Sequence, residues 1–360
     1  MRPKLKPFAR LGGTAELCLV RENGVEITLD DPDGRVSDLL DLLDGTRNAA
    51  ELTAALAARW PDTRTADVAL ALHELDAAGL VEDAAAPCRL SRWQQERYFS
   101  NLAFFETFAR LDRSRFELQE ALAGANVLLL GVGGLGSSLL LHLAGLGVGH
   151  ITVLDRDRVE LRNLSRQFLY SEADVGASKL SRAVARARTF NSEPAIAAVE
   201  RDVRRPEDID DLLDGVDLVL SGIDRPREVH SWVNDACVKA QVPFVTGGMQ
   251  VTRGLYFSVA PGDSACLACL QTAQERAHAA LLAELRTRPR TNRGIAPVAS
   301  LVAGLVGLEA VRYLTGFAPP VAAGRLWVAD LVAGHVDVGL EWPRLEDCPV
   351  CATPVAGAVR

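Results

Sequence analysis

Between Gly131 and Lys179, four groups of residues suited to handling a nucleotide follow one another. Gly131-Val-Gly133-Gly134-Leu-Gly136 lets backbone N–H groups approach phosphate, where side chains would stand in the way. Asp155 and Asp157 follow in Val153-Leu-Asp155-Arg-Asp157, and the first is placed to accept hydrogen bonds from a ribose. Asn163, Arg166 and Gln167 come next, and Lys179 closes Gly176-Ala-Ser-Lys179. Further on, Asp224 in Ser221-Gly-Ile-Asp224-Arg-Pro-Arg227 offers a carboxylate able to hold Mg²⁺. A nicotinamide site needs the glycines and one acid; it needs neither the two cations nor Asp224. Singly, each Arg or Lys reads as a surface salt bridge. Together they point to a nucleoside triphosphate whose phosphates are handled chemically.

A second chemistry lies in the cysteines. Of seven, four form two C-x-x-C pairs, Cys266-Leu-Ala-Cys269 and Cys348-Pro-Val-Cys351, and Cys18, Cys88 and Cys237 are isolated. Two such knuckles can supply the four-thiolate shell of a structural zinc, the alternative being disulfide or redox use. A closed shell has no open coordination position, so the ion would pin the C-terminal tail to the body.

The elements that position these residues alternate strand and helix. Asn126–Leu130, Ile151–Leu154, Leu218–Leu220 and Phe244–Thr246 read as apolar strands, with a helix over Leu135–Ala144 after the glycine turn. Apolar strands in alternation with helices predict a mostly parallel, Rossmann-like α/β sheet covered by helices. Upstream, Glu16–Glu22 and Val25–Leu29 alternate around Asn23-Gly24, a hairpin signal. Short helices are predicted over Val36–Leu43, Ala49–Trp60 and Ala66–Ala78, the last stopped by Gly79. Strands followed by three small helices predict a winged-helix-like α+β module. Its exposed sheet edge suits an added peptide strand, with a purely packing or dimerising role as the alternative. The stretch from Gln271 to Gly294, with Arg286, Arg288, Arg290 and Arg293, is expected to be a loop: either a solvated crossover or a lid over an anionic ligand. It lacks cysteine, and Cys237, within Trp232-Val-Asn-Asp-Ala-Cys237-Val, is expected to be a buried helix residue rather than a thioester nucleophile.

Bulk properties exclude other classes. With 360 residues, 48% hydrophobic and 24% charged, the chain has room for two or three folded domains. A net charge of −8 argues against general affinity for nucleic acid or an anionic membrane. The first residues have no apolar core behind their charges, as a secretory signal would, and the longest apolar run, Ile295–Leu308, has 14 residues where a span needs about 20. The expectation is a cytoplasmic protein with neither nucleic acid nor membrane as partner.

Two resemblances sharpen this reading. Residues 92–315 resemble the ThiF/MoeB/HesA adenylating superfamily, relatives of the ubiquitin-activating enzymes. They do so through the glycine turn, Gly147-Val-Gly149, Asp155-x-Asp157-x-Val159, Asn163-Leu-x-Arg166-Gln167, Val175-Gly-x-x-Lys179, Asp224, Asn234-x-x-Cys237 and Gly307-Leu-Glu309-Ala-Val-Arg312. The resemblance implies ribose binding by Asp155, triphosphate binding by Arg166 and Lys179, Mg²⁺ at Asp224, Asn163 and Gln167 lining the same pocket, and a homodimer. The family's Arg-Tyr-x-Arg-Gln segment reads Arg97-Tyr98-Phe-Ser100-Asn101 here, so the arginine that reaches the γ-phosphate across the dimer is replaced by Ser100, with substitution by Arg97 or a weakened catalysis as the alternatives. Residues 1–86, through Pro3-Lys-Leu-Lys-Pro7, Leu42-Leu-Asp44-Gly45-Thr46 and Leu75-Asp-Ala-Ala-Gly79, resemble the PqqD-type element that captures leader peptides of ribosomally made natural products.

The expected layout is a recognition domain over 1–86, a helical linker contributing to a dimer over 87–123, and an ATP-binding adenylation domain with a zinc-knuckle tail over 124–354. The expected function is Mg·ATP-dependent adenylation of a carboxyl group on a precursor peptide, with pyrophosphate release and a downstream modifying enzyme as a further partner. Two alternatives are a non-catalytic presenter of leader peptide to a cyclodehydratase, and activation of a sulfur-carrier or ubiquitin-like protein.

Overall fold

The computed structural model describes all residues except 13–14, 22–23, 288–293 and 353–360. The chain divides into two compact units, Met1–Glu120 and Ala121–Arg360.

In the first unit, β1 (Pro3–Leu5) pairs antiparallel with β5 (Val81–Asp83), and β2 (Ala9–Gly12), β3 (Glu16–Val20) and β4 (Glu26–Asp30) form an antiparallel sheet with β3 in the middle. Alternation sets the register: Leu17 opposes Leu29 and Leu19 opposes Ile27. Of the predicted turn, Gly24 adopts φ +78 while Asn23 lies outside the described residues. Helices α1 (Arg35–Leu42), α2 (Ala49–Ala57) and α3 (Thr65–Ala77) pack Leu40, Leu52, Leu56, Leu72 and Leu75 onto that sheet. Asn48 and Glu51 form a reciprocal capping box at the start of α2. α3 ends where Gly79 turns left-handed at φ +70, as its sequence predicts. Then come α4 (Arg92–Arg97), α5 (Phe99–Glu106) and α6 (Arg115–Gly124).

Segments of this unit remote in sequence are tied by buried charge. Lys6 is 5% exposed and its ammonium donates to the carbonyls of Gly79 (2.9 Å) and Ala109 (2.6 Å). Burial, reinforced by Arg21, lowers its pKa to about 8. Arg115 spans buried Glu82 and Glu106 at 2.8 Å each.

The second unit is built on one eight-stranded sheet. Its elements are β6 (Asn126–Leu130), α7 (Gly136–Leu146), β7 (His150–Leu154), α8 (Lys179–Phe190), β8 (Ala195–Val199), α9 (Glu207–Asp210), β9 (Leu218–Ser221), α10 (Val229–Ala240), β10 (Phe244–Gln250), β11 (Arg253–Val259), α11 (Leu267–Thr287), α12 (Ala296–Thr315), β12 (Arg325–Asp330) and β13 (His335–Glu341). The order is β13-β12-β11-β10-β9-β6-β7-β8; β10 through β8 are parallel and β11 to β13 continue antiparallel. The chain leaves β6 toward β7 on one side and returns as β9 on the other, so the strand order reverses at β6. Ligands of open α/β sheets bind at such a reversal, beyond the carboxyl ends of the strands.

Two expectations change. The predicted loop from Gln271 is helical through Thr287, with non-helical dihedrals at His278, because its Ala, Leu, Gln, Glu and Arg residues are strong helix formers. Arg286 belongs to this helix, and Arg288, Arg290 and Arg293 lie outside the described residues. From Ala296 the apolar run is part of a 20-residue helix, long and apolar enough by length and composition to cross a membrane. That helix, α12, instead covers the sheet: a Cβ on Gly247 or Gly254 would stand 2.7 Å from Val302. Its buried Glu309 accepts from Ser258 Oγ (3.1 Å) and the Ala322 N–H (2.8 Å).

Candidate functional site

The glycine turn joins β6 to α7 in little space. Gly131 adopts φ +85, and its added Cβ would lie 2.7 Å from Ile223 Cγ2; a Cβ on Gly136 would overlap the Gly131 carbonyl oxygen. At Gly134 it would meet Arg166 Nε at 3.3 Å, and at Gly133 Gln167 Nε2 at 3.9 Å. The turn therefore presents bare backbone toward the segment carrying Arg166 and Gln167, with the α7 N-terminus behind it.

Asp155 ends β7 and is buried. Its carboxylate accepts from the Val132 N–H (2.8 Å) inside the glycine turn and from the Asp157 N–H (2.7 Å). Burial raises its pKa, opposed by those two N–H groups and by Lys179. Tyr170, also buried, donates to the Val132 carbonyl at 2.8 Å, fixing the turn from its other side.

Lys179 opens α8 and is buried, its ammonium 2.9 Å from a carboxylate oxygen of Asp157. Asp157 is 61% exposed at its side chain against 7% for Lys179, so the pair runs from the interior to the surface. Buried Asn163 accepts from the Glu160 N–H (2.9 Å) and closes the 3₁₀ turn Leu161–Asn163, from whose end Arg166 and Gln167 follow.

Four polar atoms here are buried without a hydrogen-bond partner: Arg166 Nε, Gln167 Oε1, Ser137 Oγ and Ser221 Oγ. Leaving such groups unmade costs about 1–3 kcal/mol each; Arg166 and Gln167 lie beside Gly134 and Gly133, Ser137 opens α7 and Ser221 ends β9, so these orphaned atoms mark a place for a polar ligand around the glycine turn. The two serines were not among the sequence candidates; only their positions, directly after Gly136 and at the end of β9, carry a signal. Asp224 follows β9 in the segment whose Ile223 packs beside Gly131; it is exposed and makes no hydrogen bond or ion pair among the described residues.

The carboxyl ends of β6, β7 and β9 thus bring together the glycine turn, Asp155, Asp157, Lys179, Arg166, Gln167 and Asp224. Arg97 belongs to the first unit, where it is exposed on α4 with its guanidinium 5.4 Å from the centre of the Trp93 ring.

The two knuckles meet. Cys266 Sγ lies 3.6 Å from Cys348 Sγ and 3.9 Å from Cys269 Sγ, and Cys269 Sγ is 3.4 Å from Cys351 Sγ. All four are buried, with sulfurs within 4.8 Å of one another. Tetrahedral zinc with Zn–S near 2.3 Å needs sulfurs about 3.8 Å apart, so the set fits that ion. Cys237 stands apart, buried in α10, and burial pushes its thiol pKa well up; as expected, it is no ready nucleophile.

The family match and the named relatives define an adenylyltransferase, on an α/β fold. The chain belongs to the ThiF family, whose model matches residues 105–350. It is similar to the molybdopterin-synthase adenylyltransferase of Salmonella typhimurium, 34% identical over 242 residues, covering 66% of this chain and 90% of that protein. The ThiS adenylyltransferase of Escherichia coli is 30% identical over 242 residues, covering 67% and 91%. Among solved structures, E. coli MccB crystallised with ATP shares the fold at a TM-score of 0.76 and 20% identity, over 98% of this chain and 100% of that one.

Proposed function

We propose that this protein adenylates a carboxyl group of a ribosomally made precursor peptide, and that its first unit captures the leader of that peptide. The observation that carries the reading is the reach of the likenesses. The ThiS and molybdopterin-synthase adenylyltransferases match about two thirds of the chain, whereas the likeness to MccB extends over 98% of it, including the first unit. MccB has been crystallised with the peptide MccA, and its likeness to this chain is one of fold.

In this reading ATP sits over the glycine turn. Asp155 holds the ribose, Asn163 shapes the 3₁₀ turn, and Arg166, Gln167 and Lys179 meet the phosphates, with Asp157 holding Lys179 in place. The orphaned Arg166 Nε and Gln167 Oε1 find partners in the nucleotide. Asp224 holds Mg²⁺, which supplies charge neutralisation on the phosphates. A peptide carboxylate oxygen forms a bond to the α-phosphorus, the bond from that phosphorus to the bridging oxygen breaks, and its electron pair leaves with pyrophosphate. Arg166, Lys179 and the turn's backbone N–H groups neutralise the leaving charge. The acyl-adenylate is then open to a nitrogen or sulfur nucleophile, with a downstream enzyme completing the modification. The chain acts as a homodimer with Arg97 in place of the arginine absent at position 100. The leader adds as a strand to the exposed edge of the β2-β3-β4 sheet, and the four cysteines hold a structural zinc.

A second reading, activation of a sulfur-carrier protein, is favoured by the names of the two ThiS adenylyltransferases, 30% and 32% identical to this chain. Incubation with Mg·ATP and either a precursor peptide or a sulfur-carrier protein separates the two. AMP and pyrophosphate released only with peptide, and lost in Asp224→Asn, support the proposal; release only with the carrier overturns it. Peptide binding without ATP consumption would make the chain a presenter for a partner enzyme.

A further inference from the structure

Resting on the reading of the four cysteines as a zinc site, we infer that Arg344 is the positioning residue that keeps the metal in place. Four thiolates around one divalent ion leave net negative charge, and the two knuckles come from chain segments that only tertiary structure brings together. Arg344 addresses both. One guanidinium nitrogen donates to the carbonyl of Cys351 at 2.6 Å and the other to the carbonyl of Gly262 at 3.0 Å. Gly262 lies in the turn between β11 and the first knuckle; Cys351 is the last ligand of the second. A single planar fork therefore staples one knuckle to the approach of the other and places a fixed positive charge at the backbone of the last ligand, from a residue that is itself exposed.

The other hydrogen bonds at the knuckles come from neutral groups. Trp342 donates its indole N–H to the Cys266 carbonyl (3.0 Å), Asn234 Oδ1 accepts from the Leu267 N–H (2.8 Å), and the Leu345 N–H points at Cys269 Sγ (3.4 Å). Arg276 also joins the tail, through a 2.6 Å pair with Asp347, the residue before Cys348, but both side chains are more than half exposed. Arg344 is the cation among the described residues that contacts a ligand residue's backbone at this site.

The test uses the full chain purified with zinc, measuring metal stoichiometry by mass spectrometry and the rate of zinc transfer to a chromogenic chelator. Arg344→Met should release zinc roughly 10–100-fold faster, the usual effect of losing an outer partner of a metal site. Arg344→Lys, which keeps the charge but not the fork, should fall between, and Arg276→Ala should stay within about twofold of the parent. Partial rescue by lysine distinguishes a charge acting on the site from mere loss of packing. If Arg344→Met does not fold, Arg344→Lys decides by the same rate. Unchanged release from the variant that decides overturns the role of Arg344. A parent protein without zinc overturns the zinc site itself and this inference with it.

Discussion

At the scale of single residues, the nucleotide end of the sheet is governed by what has no room and what has no partner. Gly136 cannot carry a side chain, because its Cβ would coincide with the Gly131 carbonyl. Gly136→Ala should therefore cost at least about 2 kcal/mol in urea unfolding, since the obstacle is backbone rather than a movable side chain. A variant as stable as the parent would show that the turn is looser than described. Lys6 offers a pH test. Its pKa is lowered from 10.5 to about 8, so between those values the unfolded chain holds a proton that the native chain has released, and stability rises with pH across that window. Lys6→Met should flatten the rise; identical slopes in both proteins between pH 8 and 10 would contradict the buried-ammonium account. Much at this scale was legible locally: the glycine spacing, the acids after Val153-Leu154 and the paired cysteines announce their chemistry in adjacent residues. The Lys179–Asp157 pair, the Lys6 carbonyl cage and the Arg344 fork were not, because each depends on partners that only the tertiary fold brings alongside.

At the scale of elements, alternation and periodicity predicted the strands and helices well where a single face is buried. β6 spans Asn126–Leu130 as read from its apolar run, and α1 to α3 fall within a few residues of expectation. The antiparallel strands β12 and β13 escaped because β13 is exposed along most of its length and lacks the apolar run of a buried strand. α11 escaped because a charged, arginine-rich stretch reads equally as a loop or as a solvated helix. Two elements make checkable claims. α12 carries Glu309 into the core, where Ser258 and the N–H groups of Val321 and Ala322 donate to it. Glu309→Ala leaves those donors unpaired and should cost about 3 kcal/mol by denaturant unfolding; a loss below about 1 kcal/mol would show that the loop 321–322 is held by something else. The knuckles should behave likewise: Cys348→Ser with Cys351→Ser should lower thermal stability and abolish metal binding, and unchanged stability with no bound zinc would remove the four-cysteine site.

At the scale of the whole molecule, the family match begins at residue 105, near the end of the first unit, which has its own leucine core and its own sheets. The nucleotide-facing residues other than Arg97 all lie in the second unit; most of the first needs another explanation, and a peptide strand added to its sheet is the one we propose. The most direct test is the mass of a candidate precursor peptide after incubation with the protein and Mg·ATP, with Asp224→Asn in parallel. The account predicts a peptide heavier by one adenylyl group, or the product of that adenylate with a nucleophile, at a rate at least about 100-fold above the variant. An unmodified peptide, with ATP consumed only when a sulfur-carrier protein is supplied, would contradict it.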